Sequence, residues 1–165
     1  MGIDALPSLL GRAKEVAPFG FAIAIDIQFT TPTLMFETYP LEWRKYYAEN
    51  GLLMNDPTVA WAFENTGFRD WKELNTEGNN KVLEAASSFG LNYGISCATV
   101  FDEKRSMAGF GRTETAFSAS EAKDLNSIFG DVVRLTSGHA VIPSEIASIL
   151  KKNGVTIQQS SAAAS

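Results

Sequence analysis

The chain has 165 residues, of which 45% are hydrophobic and 20% are charged, and its formal net charge is −5. These totals predict one soluble globular domain with a proper hydrophobic core. A negative charge without a block of Lys or Arg disfavours a surface that neutralises phosphates, so we expect no DNA binding by this chain alone.

Other classes of protein are disfavoured by what the sequence lacks. It has neither an apolar run of about 18 residues nor a basic leader with a cleavage site, so we expect no membrane span and no export. The single cysteine, Cys97, excludes an internal disulfide and is typical of the reducing cytoplasm. His139 is the only histidine, and Gly109-x-Gly111 lacks the rest of a phosphate-binding motif. We therefore predict a protein that is not an enzyme and uses no metal or cofactor.

The first predicted elements are a helix over residues 3–16 and a strand after it. Bulky side chains alternate with small ones from Phe19 to Phe29, which predicts a strand with one bulky and one small face. The bulky positions are Phe19, Phe21, Ile23, Ile25, Ile27 and Phe29. The small face can leave room for a ligand or let a helix pack closely. A turn at 31–33 leads into a second strand, 34–38.

A helix over about 40–50 follows, with Pro40 in its first turn and Gly51 as its left-handed end. Tyr39, Trp43 and Tyr47 recur every four residues, so each steps only about 40° around the helix axis from the one before. They share one face. Such an aromatic stripe either belongs to the core or lines a pocket for a small amphipathic molecule.

Asp56 and Pro57 open a second short helix, which we expect to end at Gly67, with Asp56 as its N-cap. A purely structural cap is one interpretation of this carboxylate. The other is a hydrogen-bond acceptor in a pocket that the aromatic stripe and Trp71 would line.

The second half of the chain continues with a loop at 75–78 and a helix over 79–89. Two strands, 93–101 and 107–115, are predicted to form a hairpin through the four-residue connection 102–105.

A capping box at Ser118 and Glu121 then starts a long helix that ends near Gly138. A last short helix runs from Ser144 to Gly154, and residues 158–165 are predicted to be a mobile tail. Strands flanked by helices predict an α/β fold, an α/β/α sandwich whose central antiparallel sheet has about five strands with helices on both faces.

The aromatic stripe and its surroundings also match a known spacing. Tyr39, Trp43 and Tyr47 are followed after nine residues by Asp56 and after fifteen more by Trp71. This pattern resembles the autoinducer-binding domain of LuxR-type quorum-sensing regulators, which recognise N-acyl-homoserine lactones. The resemblance implies a ligand-binding sensor in transcription regulation.

Each matched residue receives a role from the resemblance. Tyr39 would donate to the acyl carbonyl of the ligand, the Trp43 indole N–H to the lactone carbonyl, and Asp56 would accept from the amide N–H. Tyr47 would cover the acyl chain and head group, and Trp71 would pack on the lactone ring. The chemistry agrees, because a buried amide left without partners costs about 1–3 kcal/mol.

Two further positions bear on the resemblance. Gly94 falls where the family tends to have a glycine. The Ser or Thr that the family usually carries on the last strand has no clear equivalent, and Gly111, Thr113 and Thr115 lie nearest. We assign them no role.

Full LuxR-type regulators continue into a helix-turn-helix. We expect an autoinducer-binding domain over 1–140 and a terminal helix and tail over 141–165 without a complete helix-turn-helix. Residues 144–150 resemble one helix of such a unit or form a plain amphipathic helix. The first predicted function is lactone sensing, as part of a regulator or as a separate domain, with dimerisation expected. The alternative is a pocket-inactive module that forms a heterodimer with a full-length LuxR-type receptor and inhibits it.

Overall fold

Six antiparallel strands form one sheet in the order β3-β4-β5-β1-β2-β6, in a computed structural model that describes residues 1–74 and 81–160. The strands are β1 Gly20–Gln28, β2 Thr31–Glu37, β3 Gly67–Asp70, β4 Tyr93–Phe101, β5 Lys104–Arg112 and β6 Thr156–Gln159. The helices are α1 Leu6–Val16, α2 Leu41–Glu49, α3 Pro57–Glu64, α4 Lys81–Ser88, α5 Ala119–Thr136 and α6 Ser144–Lys152. The predicted α/β/α sandwich is confirmed, with one strand more than expected.

The two faces of the sheet carry different side chains because residues alternate along each strand. On one face, Phe21, Ile23 and Ile25 of β1 are completely buried in the main core, together with residues of α1, α5 and α6. On the other face, small residues of the same strands lie beneath α2, α3 and α4. The predicted bulky and small faces of the first strand are therefore confirmed over its middle.

A β-bulge ends this alternation earlier than the sequence predicts. The pairing of β1 with β5 shifts between Ala24 and Ile27, and Asp26 adopts a φ of 50°. Asp26 then points to the end of α5, where its carboxylate accepts from the Ser137 hydroxyl and the Gly138 N–H, each at 2.8 Å. Ile27 moves to the small face as a consequence.

The two ends of the predicted bulky row also leave the main core. Phe19 packs beside Tyr39, with ring centroids 6.1 Å apart, and so lies on the small-residue side. Phe29 is 97% exposed at the β1–β2 turn. The prediction that these two residues and Ile27 share a face with Phe21 is wrong, because the bulge and the turn break the two-residue period.

The β4–β5 hairpin is tighter than predicted. Asp102 and Glu103 both have positive φ values, 52° and 64°, so a two-residue turn replaces the expected four-residue connection. Turns of this kind follow the twist of the paired strands. Lys104 consequently starts β5, which ends at Arg112.

The helix signals locate most helix ends. Gly51 adopts a left-handed φ of 59° after α2, and Asp56 is the N-cap of α3. The capping box at Ser118 and Glu121 is confirmed. The short helix after Asp56 ends at Glu64, before the predicted stop, because the following residues form the edge strand β3.

The end of the described chain joins the same fold. Helix α6 buries Ile146 and Leu150 in the main core, and β6 pairs with β2. The predicted mobile tail is therefore wrong for Gln158 and Gln159, while 161–165 lie outside the described residues. The predicted loop at 75–78 and residues 79–80 of the next helix lie outside them as well. Within the described ranges, no helix is long and apolar enough to cross a membrane.

Candidate ligand-binding site

Three rows of directly paired residues cross the small face of the sheet. Paired residues of antiparallel strands point to the same face. The rows are Gly94, Gly111 and Gly20; Ser96, Gly109, Ala22 and Glu37; and Ala98, Met107, Ala24 and Met35. Ala22, Ala24 and Gly109 stay partly exposed although β1 and β5 are the two central strands. We call these three rows the floor, and its central positions are not completely covered by side chains.

The glycines of the first row allow large side chains to lie directly on the sheet. A Cβ atom at Gly94 would overlap the Trp71 ring, and one at Gly20 would stand 2.7 Å from the Tyr39 Cα. No side chain fits there without displacing these residues. The glycine row therefore determines how close Trp71 and Tyr39 come to the floor.

The aromatic stripe predicted from the sequence faces this floor. Tyr39 lies between β2 and α2, while Trp43 and Tyr47 follow on α2. The ring centroids of Trp43 and Tyr47 are 5.6 Å apart. Phe89 adds a further ring 5.4 Å from Trp43. The core interpretation of the stripe is confirmed for Tyr39 and Trp43, which are buried in one cluster, and the lining of a ligand pocket stays a prediction. We call these rings the wall above the floor.

Asp56 is at once a helix cap and a member of this wall. Its Oδ1 accepts from the Thr58 backbone N–H at 2.9 Å and from the Thr58 hydroxyl at 2.6 Å. Its Oδ2 accepts from the Tyr47 hydroxyl at 2.7 Å. A carboxylate offers about four lone-pair sites. Asp56 therefore has room for one more donor, on the oxygen that faces Tyr47.

Trp71 closes the opposite side of the floor. Its indole N–H donates to the Ser96 hydroxyl at 3.0 Å, and Ser96 is itself buried. Across the row, a Cβ at Gly109 would stand 3.6 Å from the Trp71 ring and 3.3 Å from the Tyr39 hydroxyl. Trp71 and Tyr39 thus approach the same point of the floor from two sides.

Burial and nearby carboxylates keep the two tyrosines protonated. The pKa of Tyr39 is raised, first by burial and then by the charges of Glu37 and Asp56. The pKa of Tyr47 is raised by burial and by the charge and hydrogen bond of Asp56. Both phenols are therefore hydrogen-bond donors. The negative charges of Asp56 and Glu37 contribute to the raised pKa of each tyrosine.

Glu37 is a second acid in this region. Its pKa is raised to about 7, because burial disfavours the charged form more than the neighbouring Arg44 favours it. The Arg44 side chain also donates through Nε to the carbonyl oxygen of Tyr39 at 3.0 Å. Arg44 thereby holds together the corner between β2 and α2.

The five residues singled out from the sequence thus come together on one face, and three neighbours were missed. Ser96, Glu37 and Phe89 complete the site. Gly94, Ser96 and Ala98 show the same small-residue alternation on β4 that is visible on β1, which is a signal for Ser96. Only the strand pairing reveals Glu37, because its neighbours in the row belong to distant parts of the chain.

Two surface clefts lie elsewhere. One of about 440 Å³ is lined by residues of β3, β4 and α5, including Arg134, and one of about 690 Å³ lies between α1 and the end of α6. Neither contains any of the five predicted residues. We place the site on the small-residue floor instead, because hydrogen-bonding groups and apolar rings converge there as small-molecule sites require.

Comparison with known proteins agrees with this geometry. The family model of the autoinducer binding domain matches residues 27–130. The transcriptional activator VanR of Vibrio anguillarum is 30% identical over 128 residues, covering 75% of this chain and 50% of VanR. LuxR of Aliivibrio fischeri is 33% identical over 104 residues, covering 59% of this chain and 40% of LuxR. The chain therefore spans half or less of the length of these relatives.

Solved structures show the same fold at low identity. CepR2 from Burkholderia cenocepacia, an N-acylhomoserine lactone dependent LuxR family transcription factor, has a TM-score of 0.62 at 18% identity and covers 88% of both chains. SdiA in complex with octanoyl-rac-glycerol has a TM-score of 0.59 at 18% identity, covering 92% of this chain and 76% of SdiA. With the family match over most of the sheet and the helices above the floor, the chain belongs to the autoinducer-binding domain family of LuxR-type transcriptional regulators.

Proposed function

We propose that this chain senses an N-acyl-homoserine lactone bound on the small-residue floor. The observation that carries the proposal is the partly exposed floor at Ala22, Ala24 and Gly109, with the Tyr39 hydroxyl above Gly109 and the Asp56 carboxylate bound to the neighbouring Tyr47. CepR2 is described as dependent on an N-acylhomoserine lactone, and SdiA has been solved with an acylated glycerol. Both support an acyl ligand with a polar head.

The amide of the ligand would lie between Tyr39 and Asp56. The Tyr39 phenol keeps its proton and can donate to the acyl carbonyl, while the free lone pair of Asp56 accepts from the amide N–H. An ionised acceptor makes the stronger hydrogen bond. These two contacts would satisfy both polar groups of the buried amide.

The remaining residues would enclose the ligand. Trp43 would donate to the lactone carbonyl, Tyr47 would cover the chain and head group, and Trp71 would pack on the lactone ring. The acyl chain would run along the small residues of the floor, contributing about 0.8 kcal/mol for each buried CH₂ group.

A thermal-shift and calorimetric series with lactones of increasing chain length tests the proposal. Ligand at a hundredfold excess over Kd stabilises the fold by about 2.7 kcal/mol, so the Tm of the protein rises. A panel that leaves the Tm unchanged and gives no heat of binding would contradict the proposal.

Two variants test the roles of individual residues. Asp56→Asn keeps the helix cap, since Asn caps as well as Asp, yet it weakens the acceptor. We expect a loss of binding of about tenfold with little loss of stability. Trp43→Phe deletes the indole donor and should cost about 1 kcal/mol of binding. Asp124→Asn, on the exposed side of α5, makes the same chemical change away from the site and serves as the control.

The alternative function is a module that pairs with a full-length LuxR-type receptor and inhibits it. The three hydrogen bonds that Asp56 already makes within the chain favour it. Capture of a purified receptor at unchanged affinity with and without lactone, together with an unmoved Tm, would select this function over lactone sensing.

A further inference from the structure

Glu37 lies in the floor row that also holds Ser96, Gly109 and Ala22. Because paired residues share a face, its carboxyl group leaves the sheet on the side of the aromatic wall. Glu37 is only 8% exposed. It is therefore a buried acid on the floor of the proposed site.

The ionic partner of Glu37 leaves it with unused hydrogen-bonding capacity. Arg44 Nη1 lies 4.0 Å from Glu37 Oε1, beyond the roughly 2.7–2.9 Å of a good charge-assisted hydrogen bond. The same guanidinium is held by the carbonyl oxygen of Tyr39. Glu37 is thus loosely paired and can accept a further partner from the ligand.

Glu37 also lies in the same row as the point of the floor that the Tyr39 hydroxyl approaches. The Tyr39 hydroxyl stands above Gly109, and Gly109 and Glu37 flank Ala22 on the neighbouring strands. Their backbones are two strand spacings apart, roughly 9–10 Å, part of which the glutamate side chain spans. A ligand whose acyl carbonyl meets Tyr39 and whose chain follows this row past Ala22 would bring its next carbons towards Glu37.

We propose that Glu37 selects acyl-homoserine lactones that carry a hydrogen-bonding oxygen at the 3-position, and a 3-hydroxy group ahead of a 3-oxo group. This inference rests on the proposed function. A plain methylene chain would leave the buried carboxyl without a partner, which is unfavourable. A hydroxyl group can donate to the carboxyl and accept from it, whereas a keto group can only accept.

The protonation state of Glu37 separates the two oxygen substituents. With a pKa raised to about 7, the carboxyl is protonated at pH 6 and donates to either substituent. At pH 8 it is ionised and accepts from a hydroxyl, but it has no proton to give to a keto oxygen. The preference for the 3-hydroxy ligand over the 3-oxo ligand should therefore grow as pH rises through about 7.

The two tyrosines that interact with Glu37 do not change charge in this range. Arg44 and Tyr47 on α2 and Tyr39 just before it interact electrostatically with Glu37. Asp56 contacts Tyr47 on the same wall. Burial raises the pKa of both tyrosines, so they remain neutral. The strand neighbours of Glu37 in the row, Ala22 and Thr156, carry no charge.

The test is calorimetric binding of three lactones of equal chain length, unsubstituted, 3-hydroxy and 3-oxo, at pH 6 and pH 8. For the unaltered chain we expect the 3-hydroxy lactone to bind about fivefold to tenfold more tightly than the unsubstituted one at both pH values. The 3-oxo lactone should show a similar advantage at pH 6 and lose most of it at pH 8.

Two substitutions and a matched control assign the effect to Glu37. Glu37→Leu should abolish the preference for oxygenated chains, and Glu37→Gln, which donates and accepts at any pH, should keep the preference and remove its pH dependence. Glu49→Gln, at the exposed end of α2, should behave like the unaltered chain. If Glu37→Leu fails to fold, the binding of the three lactones by Glu37→Gln at pH 6 and pH 8 still tests whether the pH dependence comes from Glu37.

The outcomes that overturn the inference are distinct from those that overturn the proposed function. Equal binding of all three lactones by the unaltered chain, or a pH dependence that survives in Glu37→Gln, overturns the role of Glu37 alone. No binding of any lactone by the unaltered chain overturns the proposed function and this inference together.

Discussion

The two faces of the sheet are made by the same strands but perform different physical tasks. On the α1/α5/α6 face, Phe21, Ile23 and Phe110 are completely buried among apolar neighbours. On the α2/α3/α4 face, Ala22 and Gly109, adjacent to them in sequence, remain partly exposed beneath aromatic and acidic side chains. One face, the filled face, is completely buried, while the other keeps partly exposed positions on its floor.

This difference explains how a small domain can carry a candidate site on one face without losing its core. Apolar burial on the filled face supplies most of the stability. The small-residue face can then tolerate polar groups and incomplete packing, because the fold does not depend on it to the same extent. Substitutions on each face, combined with changes of pH, test whether the two faces differ in this way.

Phe110→Ala should have the largest effect, because it removes a completely buried ring from the filled face. We expect the free energy of unfolding to fall by about 3–5 kcal/mol. Urea denaturation with a shared m-value measures it. The matched control is Phe68→Ala on the edge strand β3, where the ring is 37% exposed and the loss should be much smaller. Equal losses would mean that the filled face is not the main source of stability.

Glu37, on the small-residue face, should make the free energy of unfolding fall as the pH rises. Its pKa is raised from 4.5 to about 7 in the folded chain, so the native state binds more protons than the unfolded state between these values. The stabilisation is complete below pH 4.5 and is lost as pH rises through 7, by on the order of 3 kcal/mol.

Urea denaturation at several pH values between 4.5 and 8 gives the free energy of unfolding of the unaltered chain and of Glu37→Gln. The change with pH in the difference between these two free energies measures the loss. Glu49→Gln should leave the slope unchanged. A difference that stays constant over this range would contradict the buried position of Glu37.

Gly94→Ala should disturb the floor by a single methyl group. The added Cβ overlaps the Trp71 ring, so the ring must move and its hydrogen bond to Ser96 breaks. We expect a loss of about 1–3 kcal/mol and a shift in tryptophan fluorescence.

The control for this substitution is Gly11→Ala on α1. No atom lies within 4 Å of a Cβ at Gly11, and the better helix former should raise stability by up to about 1 kcal/mol. If Gly94→Ala behaves like Gly11→Ala, Trp71 does not rest on the floor as described.

Glu121→Gln should have the smallest effect, because it removes a partly exposed ion pair at the rim of the filled face. Hydrogen bonds from Arg112 and Ser118 lower the pKa of Glu121 to about 2. Its contribution is present above pH 4.5 and is lost as pH falls towards 2. Solvent screens the pair, so we expect less than about 1 kcal/mol. Comparing both chains at pH 6 and pH 3 measures it, and a gap that widens on acidification would contradict the assignment.

Local signals in the sequence predicted much of the fold and most of the site. The Asp56–Pro57 start of α3, the capping box at Ser118 and the left-handed Gly51 each satisfy backbone groups within a few residues, so their effects are visible in a short stretch. The spacing of Tyr39, Trp43 and Tyr47 likewise predicts a shared face from helix geometry alone. Their roles towards a ligand stay predictions.

The errors lie where a distant partner determines the outcome. Ile27 changes face because β5 pairs across a bulge, and Gln158 becomes part of the sheet because β2 offers a free edge. A bulge or an edge pairing depends on the neighbouring strand and leaves little trace in the local pattern.

Local patterns in the sequence predicted most of the helices, the strands β1, β2, β4 and β5, the bulky and small faces in the middle of β1, and the residues that match the family pattern. Only the tertiary structure decided that Gly20, Gly94 and Gly111 lie side by side, and that Glu37 joins the row of Ser96 and Gly109. The physical reason is that helix and strand periodicities act over a few residues. The rows of a sheet, by contrast, are formed by hydrogen bonds between segments far apart in the chain.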